Sequence, residues 1–140
     1  MMRFNSVLIA FAVLLTVATF ASELPVQASD TPSQLYEVKD GNKVDATTLQ
    51  GWKTWRAMAC ERCHGPAQEG LVGPSLIEPL KRLSKTEFHE KLMNGNPEKG
   101  MPPYGAVEMV SKNWEGLYGY LKGRSDGKIQ PGRLTAIEQN

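Results

Sequence analysis

CERCHG, Cys60 to Gly65, holds both cysteines of the 140-residue chain and places His64 directly after the second. Residues three apart on a helical turn share a face, so Cys60 and Cys63 can present two sulfurs to one object. Several chemistries compete for such a pair. A zinc site wants four ligands, yet beyond these three only His89 and carboxylates remain, with no second paired motif. A thioredoxin-like redox pair needs a strand–helix setting with parallel crossovers. A disulfide across two intervening residues would be strained. The pattern C-x-x-C-H reads instead as attachment of haem c, in which each thiol adds to a vinyl group and the adjacent imidazole reaches the iron.

The flanks of the motif are helical on one side and irregular on the other. Asp45 is a candidate N-cap, and Leu49, Trp52, Trp55 or Arg56, and Ala59 recur at helical spacing, which predicts a first helix running straight into Cys60. After Cys63, residues Gly65, Pro66, Gly70, Gly73, Pro74 and Pro79 break regular structure as far as Leu80. Ser84 with Glu87 then forms a capping box, Leu83 and Phe88 are placed as a hydrophobic staple, and Gly95 stops the helix. NPEKGMPPYG, Asn96 to Gly105, excludes helix and central strand through its prolines and glycines. Val110, Trp114, Leu117 and Leu121 make one apolar stripe over 110–122. Gly116 and Gly119 lie in that helix at a cost of ~1 kcal/mol each relative to alanine, which predicts close approach of another helix.

A low-spin haem needs a ligand on its far face, and the candidates are Met58, Met93, Met101, Met109 and His89. Met58 shares the helix of the cysteines and cannot easily reach over a ring. Met93 and Met109 are expected in helices and in the core. Met101 is different, because it stands between Gly100 and Pro102-Pro103 in a rigid loop that could aim its sulfur. His89 is the rival, and its plain reading is a histidine exposed on a helix surface. The other ring nitrogen of His64 also needs a partner. Val72 to Leu76 could offer the Pro74 carbonyl, or could be a simple turn.

The chain ends bound the reading further. Arg3, the apolar run Val7 to Ala21 and Val-Gln-Ala ending at Ala28 predict a signal peptide over 1–28 and a periplasmic location, with cleavage after Ala21 as the alternative. The run is short for a bilayer span, so membrane contact is expected only if the leader stays uncleaved. Residues 29–44 lack an apolar period and predict an extended segment. Residues 45–123 form the expected domain, and 124–140 a polar, turn-rich tail. Sixteen Lys and Arg against fifteen Asp and Glu, interspersed and without a basic aromatic stripe, argue against nucleic acid. No nucleophile–base set or phosphate loop stands out, so no enzyme is expected. The fold class is all-α, with loops long for its size.

With those residues placed, the chain resembles the class I c-type cytochromes over nearly all of its mature length. The resemblance is carried by CERCHG, GPSL, the GMPPYG loop and a last helix ending GLYGYLKGRSDG. It implies a small monohaem fold with haem-wrapping loops, Cys60 and Cys63 as covalent attachments, His64 and Met101 as axial ligands, and the Pro74 carbonyl as acceptor for the histidine. It also implies that the first and last helices cross near Gly51, Trp52, Gly116 and Tyr120. QGWKTWRAMACERCHG and YGYLKGRSDG are similar to periplasmic cytochromes of bacterial methanol and alcohol oxidation. That similarity implies a carrier of single electrons from a PQQ-dependent alcohol or methanol dehydrogenase, including the lanthanide-dependent kind, to a downstream cytochrome or terminal oxidase. An ethanol-type quinoprotein donor, or a haem enzyme or gas sensor with an open axial site, is the alternative.

Overall fold

The computed structural model describes residues 34–138. The leader expected at 1–28 lies outside the described residues. Among the described residues five α-helices dominate: α1 (Ala46–Ala57), α2 (Glu61–His64), α3 (Ile77–Leu80), α4 (Lys85–Asn94) and α5 (Glu108–Ser125), with a 3-10 turn at Pro97–Lys99.

Helix α1 starts where its cap dictates. Asp45 accepts the Thr48 N–H at 2.9 Å and the Thr48 hydroxyl at 2.6 Å, and also takes the Glu37 N–H at 2.8 Å. The helix does not run into Cys60 as expected. It ends at Ala57, Ala59 takes a left-handed φ of 52°, and the chain starts again as the short α2 capped by Cys60. Helix α4 has the expected capping box, with Glu87 N–H donating to Ser84 Oγ and the Glu87 carboxylate accepting the Ser84 N–H. Gly95, at φ 63°, closes it.

Helices α1 and α5 cross through their glycines. A Cβ built on Gly51 would overlap the Gly116 carbonyl, and one on Gly116 would overlap the Thr47 carbonyl. Gly119 faces the Leu35 carbonyl and the Thr48 side chain, so the N-terminal segment shares that close approach. Around the crossing, Trp55 meets Tyr120 edge-on at 6.2 Å between ring centroids, and Phe88 of α4 meets Tyr118 at 5.1 Å. Val110, Leu117, Leu121, Leu80, Leu92 and Val44 are buried with them.

The helical fold carries a small sheet that the reading of 29–44 as merely extended misses. Strands β1 (Val38–Lys39) and β2 (Lys43–Val44) pair antiparallel, and β3 (Thr135–Ala136) joins β2 in parallel. Positive φ at Asp40 and Gly41 makes the turn between the first two. The polar tail packs on the body: α5 continues to Ser125, past Gly123, and Ile129 and Leu134 are buried in the core. Tyr36 donates to Asp126 at 2.7 Å, which ties the N-terminal segment to the end of α5.

Candidate haem site

Helix α2 is a single turn set off from α1, and it carries the C-x-x-C-H motif from Glu61 to His64 with Cys60 as its N-cap. Cys60 and Cys63 are free thiols. Cys60 packs against the core and Cys63 is exposed. Burial pushes the Cys60 thiol up to about 11, with Glu61 adding in the same direction.

His64 is fixed by its Nδ1, which lies 2.8 Å from the Pro74 carbonyl oxygen. A ring nitrogen facing a carbonyl donates to it, so in the neutral tautomer it is Nε2 that carries the lone pair. Trp55 stands 6.2 Å from the ring, and Gly73 lies so close that an added Cβ would come within 3.2 Å of His64 Cε1. The loop that supplies Pro74 is tied to the motif: the Gly70 N–H donates to the His64 carbonyl at 2.7 Å, and the Gly73 N–H to the Cys63 carbonyl at 2.8 Å.

Met101 sits in a braced loop. Its backbone exchanges two hydrogen bonds with Asn96, at 2.8 and 3.0 Å, and Tyr104 and Gly105 donate to the Leu92 and Met93 carbonyls of α4. Met101 and Tyr104 are half-buried at the margin of the core, as are Cys60, Leu76 and Met93. Burial, and then the nearby Cys60 and Cys63, raise the Tyr104 phenol above its usual value. Cys60 of the motif and Met101 and Tyr104 of the 96–105 loop thus pack against the same core. An apolar margin bearing two thiols, a pre-oriented imidazole and a thioether is the donor set that haem c requires, so the residues present fit that group.

The other ligand candidates are placed as follows. Met58 and Met93 are half-buried against the core. Met109, expected in the core, is 46 % exposed, because the start of α5 turns that position outward. His89 is half-buried rather than exposed on the helix surface, with its ring 4.4 Å from Trp114. Two surface residues beside the motif escaped the sequence reading: Leu71 and Val72 are 67 % and 90 % exposed. Two successive apolar residues flanked by glycines were their signal.

Residues 46–121 match the family described as cytochrome c oxidase, cbb3-type, subunit III. The chain is 41 % identical over 92 residues to cytochrome c-555 of Methylococcus capsulatus (strain ATCC 33009 / NCIMB 11132 / Bath), covering 65 % of this chain and 73 % of that protein. The crystal structure of the c-type cytochrome XoxG from Methylobacterium extorquens AM1 superposes with a TM-score of 0.66 at 35 % identity, covering 75 % of this chain and 67 % of the other.

Proposed function

The chain belongs to the c-type cytochromes, electron-transfer proteins that carry haem c, and we propose that it shuttles single electrons in the periplasm from a PQQ-dependent methanol or alcohol dehydrogenase to a downstream cytochrome or terminal oxidase. In this reading Cys60 and Cys63 would hold the haem covalently, and His64 and Met101 would supply the iron ligands. Haem c, when bound, supplies a one-electron ferric/ferrous couple. The protein's part would be to supply two side-chain ligands and a partly dry surrounding.

One observation supports the histidine assignment: the Pro74 carbonyl accepts a hydrogen bond from His64 Nδ1–H, which leaves Nε2 as the ring nitrogen available to iron. That hydrogen bond also raises the basicity of the imidazole, which favours the ferric state. A thioether from Met101 acts the other way and raises the potential, suiting an acceptor of electrons.

The donor assignment is supported by the likeness of QGWKTWRAMACERCHG and YGYLKGRSDG to cytochromes of alcohol oxidation. In this reading the docking face comprises the loops 65–70 and 102–105, and the exposed Leu71 and Val72 adjoin the first of them. Encounters of this kind bury little surface. The periplasmic setting rests on the leader expected at 1–28.

The test uses holoprotein matured with haem. Replacing Met101 with alanine should abolish the absorption signature of sulfur ligation and allow carbon monoxide to bind the reduced protein promptly, while the parent does not bind it. Prompt binding by the parent would assign an open iron site and a haem enzyme or sensor instead. Mixing the parent with candidate quinoprotein dehydrogenases and either methanol or ethanol, and following haem reduction, separates the possible donors.

A further inference from the structure

Behind the motif runs a buried polar chain that the electron-carrier reading does not use. Gln68 is 0 % exposed and has a left-handed φ of 63°. Its side-chain amide donates to Tyr120 Oη at 3.1 Å and to the Pro66 carbonyl at 3.4 Å, and its Oε1 accepts Arg124 Nε–H at 2.6 Å. Arg124, 9 % exposed, also donates to the Ala67 carbonyl at 3.1 Å and to the Ile129 carbonyl. All three of its acceptors are neutral, and among the described residues it forms no ion pair. A buried guanidinium without a carboxylate is costly, but its planar fork can hold the Ala67–Gln68 segment and Ile129 at fixed angles to α5.

The backbone of Gln68 points the other way along the chain. Its carbonyl accepts the Leu76 N–H at 2.9 Å and the Ser75 hydroxyl at 3.1 Å. Gly73, on the other side of Pro74, is tied to the Cys63 carbonyl. Pro74 is therefore clamped from both sides, by the motif and by Gln68, and its carbonyl is the one that faces His64 Nδ1.

We propose that Gln68 and Arg124 are positioning residues for the iron ligand: the chain Arg124–Gln68–Leu76 fixes the Pro74 carbonyl, and so sets the direction and basicity of the His64 imidazole. The proposal rests on His64 being the iron ligand. A fixed acceptor strengthens imidazole donation and holds the reduction potential down; a loosened one lets it rise.

The experiment compares holoprotein variants that leave the Arg124 charge in place. Gln68→Ala, and the milder Tyr120→Phe, should both raise the midpoint potential and speed solvent exchange of the His64 Nδ1 proton, followed by NMR, by about tenfold or more. Arg124→Lys should speed that exchange as well. Leu134→Ala, which destabilises the core without removing a hydrogen-bonding group of this chain, should move neither reading. If Gln68→Ala does not accumulate, Tyr120→Phe alone decides. An unchanged potential and exchange rate, with only a lower Tm, would overturn the proposal. Failure of the parent reading looks different, because His64→Ala would then leave the absorption spectrum as it is.

Discussion

Gly51 lies against the carbonyl of Gly116, so closely that the two helices leave no room for a single methyl group between them. The bodies in contact are both main chain, which has no rotamer through which to yield. Gly51→Ala and Gly116→Ala should each force α1 and α5 apart and destabilise the protein by roughly 3 kcal/mol, at the upper end for overpacked cores. Denaturant midpoints of the holoprotein check this, and a loss under about 1 kcal/mol would mean that the helices can slide.

The cap of α1 makes stability depend on acid. Burial alone would raise the Asp45 carboxyl, yet the N–H groups of Glu37 and Thr48 and the Thr48 hydroxyl more than offset it and hold the group below its usual range. A carboxyl depressed in the folded state stabilises fully above its unfolded value of about 3.9 and loses that contribution as pH falls through the folded value. Asp45→Ala should cost about 1 kcal/mol at neutral pH, and the gap between variant and parent should narrow below about pH 4. A gap that stays constant with pH would show that the carboxylate charge is not what caps the helix.

The C-terminal segment behaves as part of the core. Leu134 and Ile129 are buried against it, so Leu134→Ala and Ile129→Ala should each cost about 2–4 kcal/mol, as buried large-to-small changes do. Thermal melts of the two variants are sufficient. Tm values within a degree of the parent would detach the tail from the body.

Val72 stands almost wholly in solvent beside the exposed Cys63. Val72→Asp should leave the spectrum and Tm unchanged while lowering the second-order rate of reduction by the donor about tenfold, equivalent to ~1.4 kcal/mol. Stopped-flow traces at two ionic strengths test it, and an unaltered rate would move the docking face elsewhere.

Much of this architecture is written locally and could be read. Asp45, the Ser84–Glu87 box and Gly95 announce helix ends through side-chain and φ requirements a few residues long, and the glycines of α5 announce a close neighbour. Asp40-Gly41 was an equally local signal for a hairpin, but strands of two residues leave no alternation to reinforce it. The break at Ala59 carries no such mark, since alanine is a strong helix former and only tertiary packing drives it to positive φ. The Gln68–Arg124 pair was beyond reach for a different reason. Its partners lie 56 positions apart, and a polar residue in a polar stretch gives no hint that it is buried. Ile129 and Leu134 did give a hint, as apolar residues in a turn-rich tail.

The crossing of α1 and α5 has a kinetic side. The segment between Ala57 and Glu108 must close into a loop of roughly 50 residues before the two glycine faces can meet, and closure entropy grows with the logarithm of that length. A cofactor gripped at Cys60, Cys63 and Met101 would span nearly the same stretch and bring its ends together in advance. The prosthetic group would then act as a clasp that shortens the conformational search, and refolding with the Met101 grip released should be slower than with it engaged.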